Sequence, residues 1–303
     1  MDPGPSHRHH ELPKLYLKGF WDSKSRSIWV YTRERPFCPG SDAQESNPCL
    51  LLVKDAAMKW DRYAYQTSDG MQDTDTFERR LQREEIKADH ALKKVRSLVP
   101  VTIEDKETLA GYIQVTMKRV STRERVFRPH VKDIIEAEPW ADLVWRLASS
   151  GRFKDARQAS DYENYMKSEE GGVQFFLNET ILDRYPHVHA LLMKRNWRFC
   201  VAPKDNHFVT TDFPTAYDTS VGLSKSPLVF PISKKVALVI SDKVANDLEY
   251  CSVSPDFVAA INYWVIRSFS TEVYSHQADQ KTLGIHQHML GLSQSEWAAF
   301  SEL

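Results

Sequence analysis

The sequence predicts an α+β fold, a predominantly helical single domain of residues 1–303 that carries a small, mainly antiparallel sheet. Three observations predict it. Apolar residues recur at helical spacing over long stretches, Phe77, Leu81, Ala88, Leu92 and Val95 in one, then Leu109, Tyr112, Ile113, Met117 and Val120 in the next. Short β-branched and aromatic runs at 27–31, 197–201, 228–232 and 236–240 have strand character. Between the run at 197–201 and the apolar pair Phe208-Val209 stands Ala202-Pro-Lys-Asp-Asn206, in which Pro fixes one backbone angle and Asp-Asn tolerates the left-handed region, so a β-hairpin over 197–211 is expected.

Composition narrows the class without naming a partner. The chain is 42% hydrophobic and 27% charged, ordinary for a globular protein able to bury a core. Its 40 basic residues against 41 acidic give no overall steering toward nucleic acid or an anionic membrane, so any such surface must be a local patch. No apolar run approaches the roughly 20 residues of a membrane span, and the N-terminus lacks the apolar centre of a signal peptide. A cytoplasmic protein without a membrane partner is expected. Cys38, Cys49, Cys200 and Cys251 form no C-x-x-C pair, which points to free thiols rather than a zinc knuckle or a dithiol motif.

In chain order, His7 and His9 lie among Pro, Gly and Ser and read as a frayed end. His10 borders the apolar cluster Leu12, Leu15, Tyr16, Leu17, Phe20 and Trp21, and is the N-terminal His with a claim on structure. Residues 33–48 read as an irregular loop, 50–53 as a strand, and Ser68-Asp-Gly70 as a turn after the aromatic stretch Trp60, Tyr63 and Tyr65. Glu84 and Glu85 flank the first helical stripe. Pro100 ends that helix, and Thr102-Ile-Glu-Asp105 opens the next with a capping hydroxyl and an acidic first turn. Gln114 points away from the second stripe, so ordinary packing leaves it exposed. Arg119, near the stripe's edge, heads a basic run with Arg123, Arg125 and Arg128, which suits a solvated face or a phosphate-binding patch.

Residues 131–169 look like a helical insertion, and 173–194 a helix broken near Pro186. His187 and His189 have an H-x-H spacing with no further ligands at recognisable distance. Thr210, Thr211 and Asp212 end the hairpin's second strand, where Pro214 stops pairing; Thr211 and Asp212 also suit the simple closing of a turn. A short helix at 242–250 is expected, then a longer one opened by Ser254-Pro255. The latter, over 257–274, is apolar nearly all round and reads as core, with Asn262 and Arg267 as polar exceptions. Ser293-Gln-Ser-Glu296 fits a capping box on a terminal helix.

Several motifs fall in an order that resembles a known family. They are His10-Glu-Leu-Pro13-Lys-Leu-Tyr16-Leu17-Lys-Gly-Phe20, Ile28-Trp-Val-Tyr31, Glu85-x-x-Ala88-x-x-Ala91-Leu92, Gln114 followed by Arg119, the Trp197 strand, Phe208-Val-Thr-Thr-Asp212-Phe-Pro214 and Pro231-Ile-Ser233. The chain is similar, nearly end to end, to the bacterial domain-of-unknown-function family 4238. Thr211 stands where the family pattern has Ser, and Phe213 where it has Asn. The resemblance implies positions and no reaction.

Two functional classes compete on these residues. An imidazole with two carboxylates, His10, Glu85 and Asp212, can hold a hard divalent cation such as Mg²⁺ or Mn²⁺ and activate water, or serve as acid and base. With Arg119, Arg267, Gln114 and Thr211 holding substrate, the expected activity is a metal-dependent phosphodiester hydrolase of nuclease type, nucleic acid being engaged through the local basic patch. No H-E-x-x-H or Walker loop marks it. The alternative is a non-catalytic binding or sensing module in which the same residues form a buried polar network. Either class expects His10, Glu85, Arg119 and Asp212 to converge, with Gln114 and Arg267 beside them.

Overall fold

The structure, a computed structural model, describes residues 8–32, 48–67, 71–119, 155–168, 185–243, 246–267 and 272–279, with 171, 174, 178, 181, 182 and 282. The chain divides into two compact units. The first comprises Met1–Glu11, Met58–Glu84 and Lys118–Asp183, the second Leu12–Ala57, Glu85–Met117 and Arg184–Leu303. No described helix is long and apolar enough to cross a membrane. The basic run Arg123, Arg125 and Arg128, the loop at 33–47 and residues 131–154 of the expected insertion lie outside the described residues, as does the C-terminal capping box.

In the first unit, strand β1 (Arg8–His10) pairs antiparallel with β4 (Met58–Trp60), His9 opposite Lys59. A second ribbon joins β5 (Tyr65–Gln66) to β6 (Gln72–Asp73). The Asp73 carboxylate then accepts from the N–H groups of Asp75 and Thr76, both at 2.8 Å, and so caps helix α2 (Thr76–Arg96), whose residues beyond Glu84 belong to the second unit. Helix α4 (Ala156–Lys167) is capped by Asp155, which accepts from Gln158 N at 2.8 Å. Tyr63, Phe77, Leu81 and Met166 are buried here.

The second unit holds two four-stranded sheets. One runs β11 (Glu249–Ser252), β7 (Asn196–Val201), β10 (Val236–Ser241), β9 (Leu228–Pro231), antiparallel except for the parallel β11–β7 pair. The other runs β3 (Cys49–Leu52), β2 (Ser27–Thr32), β12 (Glu272–Ser275), β8 (Thr210–Thr211), antiparallel throughout. Helix α6 (Pro255–Arg267) serves both. Val258, Ile261 and Val265 pack with Cys200, Phe208, Val229 and Ala237, while Ile266 joins Tyr31, Val209 and Val273. Helix α3 (Ile103–Arg119) opens on a reciprocal cap, Thr102 Oγ1 accepting from Asp105 N at 3.2 Å and the Asp105 carboxylate from Thr102 N at 2.9 Å. Short helix α1 (Lys14–Leu17) is held by Arg96, whose guanidinium donates to the carbonyls of Leu15 and Tyr16, each at 3.1 Å. A Cβ on Gly19 would stand 2.4 Å from the Ile232 carbonyl, so that close approach requires glycine.

The class is α+β; among the described residues 40% are helical and 23% in strands, so helix exceeds strand without predominating, and the sheet content is larger than expected. The hairpin over 197–211 is absent. Its two strands belong to different sheets: β7 pairs with β10 and β8 with β12. The intervening segment bonds instead to the turn after β9, Ala202 N to Lys235 O and Phe208 N to Lys234 O, both at 2.9 Å. A long-range partner has overridden local turn chemistry. The helix expected over 257–274 ends at Arg267, and its last residues form β12, because a short apolar run such as Val273-Tyr274 fits either period. It is also one-sided, with Phe257 41% exposed. The helix expected at 242–250 is a turn followed by β11, and the Asp247 carboxylate ties that turn to Trp197 N at 2.8 Å and Lys106 Nζ at 2.7 Å. Pro186 begins helix α5 (Pro186–Lys194) rather than kinking a longer one, as its missing N–H suits the first helical position.

Candidate functional site

Polar chemistry in the first unit gathers on Tyr63. Pairing with β4 draws the N-terminal strand into the interior, leaving His9 fully buried, His10 5% exposed and Glu11 3% exposed. His9 Nδ1 accepts from Tyr63 N at 3.0 Å, so its Nε2 carries the proton and donates to Thr74 O at 2.7 Å. The His9 ring stacks on the Tyr63 ring with centroids 5.3 Å apart. Arg119 Nε donates to the Tyr63 hydroxyl at 2.8 Å, and the hydroxyl in turn reaches the His10 carbonyl at 3.4 Å. Charges are matched in pairs: Arg119 with Glu78 at 3.5 Å, Arg62 with Glu11 at 3.3 Å. Asn178 Nδ2 bonds Tyr63 O at 3.1 Å. Burial pushes the Tyr63 hydroxyl up to about 12 against the opposing pull of Arg119 and Arg62, so it stays a neutral donor and acceptor.

The second unit places its own polar groups along the path between the sheets. The Asn262 amide accepts from Val209 N at 3.0 Å and donates to His207 O at 2.8 Å, satisfying the backbone where it leaves one sheet for the other. Tyr16 donates to Pro231 O at 2.6 Å and accepts from Thr210 Oγ1 at 2.7 Å. Thr211 Oγ1 donates to Phe213 O at 2.7 Å and accepts from Phe213 N at 3.2 Å, the turn-closing role. Asp212 is 3% exposed and its N–H pairs with Glu272 O at 3.0 Å.

Beside this path His207 Nε2 lies 3.2 Å from Asp279 Oδ2, and its Nδ1 3.4 Å from the Gln277 amide nitrogen. Nδ1 therefore accepts and Nε2–H donates to Asp279. Thr282 fixes the carboxylate through its N–H and its hydroxyl, both at 2.7 Å. Burial favours a protonated Asp279, but the hydrogen bonds from His207 and Thr282 outweigh it and hold the carboxyl down at about 2. The His276 ring meets His207 edge-on with centroids 4.5 Å apart; burial, then the nearby His207 and Lys234, lower it to about 4.

Of the residues expected to form one site, His10 and Arg119 belong to the first unit and meet at the Tyr63 hydroxyl. Glu85, Gln114, Thr211, Asp212 and Arg267 belong to the second. There Gln114 is buried rather than exposed: its Oε1 accepts from Tyr185 N at 3.1 Å and its Nε2 lies 3.3 Å from His189 Nδ1, because α5 covers the face the helical stripe leaves polar. Glu85 and Arg267 are half-buried. No group of three or more His, Cys, Asp and Glu among the described residues is arranged to hold a metal ion. Sequence reading passed over Tyr63, Arg62, Glu11 and Asp279, and took His9 for a frayed end. Only the aromatic density around Tyr63 signalled anything.

An N-terminal strand locked on a Tyr63 centre, and a two-sheet unit bridged by one helix, together cover the span over which the chain matches a known family. The match, to the family described as Protein of unknown function (DUF4238), extends over residues 8–279. The chain belongs to that family. No curated protein and no solved structure matches it.

Proposed function

We propose that this protein is a binding or sensing module whose buried polar residues specify the fold, rather than a metal-dependent phosphodiester hydrolase. The supporting observation is Arg119, the residue best suited by sequence to hold phosphate. It is 1% exposed, with its guanidinium on Tyr63 and Glu78. A residue that binds phosphate must present its N–H donors to a cleft; Arg119 would have to abandon the Glu78 carboxylate and the Tyr63 hydroxyl to do so. Thr211 is likewise occupied by its own turn.

Differential scanning fluorimetry with Mg²⁺, Mn²⁺ and inorganic phosphate tests this directly. No shift in the unfolding midpoint is expected for the parent chain or for Asp212→Ala relative to its own metal-free control. Stabilisation by Mn²⁺ that Asp212→Ala abolishes would overturn the module in favour of the hydrolase.

One observation favours a second reading. The His207–Asp279 pair has a defined tautomer and a carboxylate fixed by Thr282, the arrangement of an oriented general base. Turnover of an activated phosphodiester that persists in chelator and is lost in His207→Asn would establish that reading.

A further inference from the structure

The parallel pair β7–β11 makes Cys200 and Cys251 register partners. Both are free thiols, whereas Cys49 is disulfide-bonded, which corrects the expectation of free thiols throughout. Register partners on neighbouring strands stand about 4.8 Å apart and send their side chains to the same face, within the roughly 4.4–6.8 Å of Cα separation that disulfides span. Cys200 belongs to the apolar cluster under α6 and is 1% exposed; Cys251 packs at its half-buried rim. Burial, reinforced by the neighbouring Cys251, pushes the Cys200 thiol up to about 12. Among the described residues strand β11 is a sheet edge paired only with β7, and Cys251 is half-buried, so it is the more accessible of the two thiols.

We propose that Cys200 and Cys251 are a reversible dithiol–disulfide pair, a redox modification site for low-molecular-weight disulfides. The Cys251 thiolate attacks one sulfur of the small disulfide, breaking its S–S bond and releasing one small thiolate. Cys200 then gives its proton to solvent and displaces the second small thiolate from the Cys251 sulfur, forming the Cys200–Cys251 bond. The protein loses two electrons and two protons, and the small disulfide leaves as two thiols. The asymmetry assigns the order: the accessible Cys251 is attacked first, and the buried Cys200 resolves.

The test exposes the folded full-length chain to glutathione disulfide, blocks remaining thiols, and maps peptides by mass spectrometry. A Cys200–Cys251 linked peptide is expected, lighter by two hydrogens than the reduced pair and restored by dithiothreitol. In Cys200→Ala the reaction should stop at a glutathione adduct on Cys251. In Cys251→Ser, an edge-strand change whose folding circular dichroism checks, Cys200 should react with N-ethylmaleimide at least about tenfold more slowly than Cys251 does in the parent, because it is 1% exposed inside the apolar cluster where the reagent cannot reach it. A stable glutathione adduct on Cys251 in the parent would overturn the proposal. So would two unmodified thiols in folded protein under conditions that oxidise the denatured chain.

Discussion

The two units bury polarity in opposite ways. The first places a cluster of ionisable groups, Arg62, Arg119, Glu11 and Glu78, around one tyrosine and balances the charges in pairs. In the second, α6 packs against both sheets through aliphatic and aromatic side chains, with the Asn262 amide bonded to the backbone between the sheets. Burying charge gains little net stability over an apolar core, because desolvation offsets most of the attraction, but breaking a buried pair is destabilising. The first unit therefore gathers its buried charges on one centre, whereas the second builds an apolar core under α6 and spreads its buried charges around it, Lys106 with Asp247, Arg195 with Asp242 and Lys94 with Asp105.

The largest effect that sharpens this contrast should come from the apolar side. Phe208 is fully buried beside α6, and Phe208→Ala removes a ring from a cluster with little room to collapse, so a loss of about 4 kcal/mol is expected in urea denaturation. Arg119→Ala removes the guanidinium that pairs with Glu78 and donates to the Tyr63 hydroxyl inside the first unit, and should lose about 3 kcal/mol. Arg119→Met asks the sharper question. If the methionine variant with Glu78→Gln recovers most of that loss, the pairing gives specificity rather than stability; if it does not, charge stabilises the first unit after all.

Asn262→Leu is a near-isosteric change that strips partners from Val209 N–H and His207 C=O while adding apolar surface. A loss of about 2 kcal/mol is expected, set by the two unsatisfied backbone groups. Were the variant as stable as the parent, the amide would be incidental to the packing of α6 on the two sheets. Hydrogen exchange at Val209 should rise in step with the loss.

What could be read from the sequence follows the range of the forces involved. Periodicity located α2 and α3, and β-branched runs located β2, β7, β9 and β10, because each depends on near neighbours. The 197–211 segment failed because its turn residues favoured a hairpin locally, while Thr210 and Thr211 found strand partners in β12, some 60 positions on. Asn262 was recognisable as a polar exception on an apolar helix, though not as the link to Val209. The Tyr63 cluster was illegible: His9, Glu11, Arg62 and Arg119 come from separate segments, and nothing local distinguishes a buried charge from a solvated one. Arg119 was singled out by its place at the edge of the helical stripe, while its partners Tyr63 and Glu78, set by the fold, were not readable.

The smallest expected effect is electrostatic, and it breaks the contrast if it proves large, since it lies in the unit described as packed. His276 has a folded pKa of about 4 against an ordinary 6.5, so the unfolded chain binds a proton that the folded chain refuses between those values. Its contribution is present above pH 6.5 and lost as the pH falls toward 4. Asp279 has a folded pKa of about 2 against 3.8, and its contribution is present above 3.8 and lost as the pH falls toward 2. Both act in the same direction but in adjoining windows. Because the His276 ring is only about half-buried, solvent screening reduces its share to about 1 kcal/mol. Chemical denaturation of the parent and of His276→Phe at intervals from pH 7 to pH 2 separates them. The phenylalanine variant should lose the dependence above pH 4 and keep the decline below it; an unchanged slope in the upper window would place that titration elsewhere in the chain and remove His276 from the account.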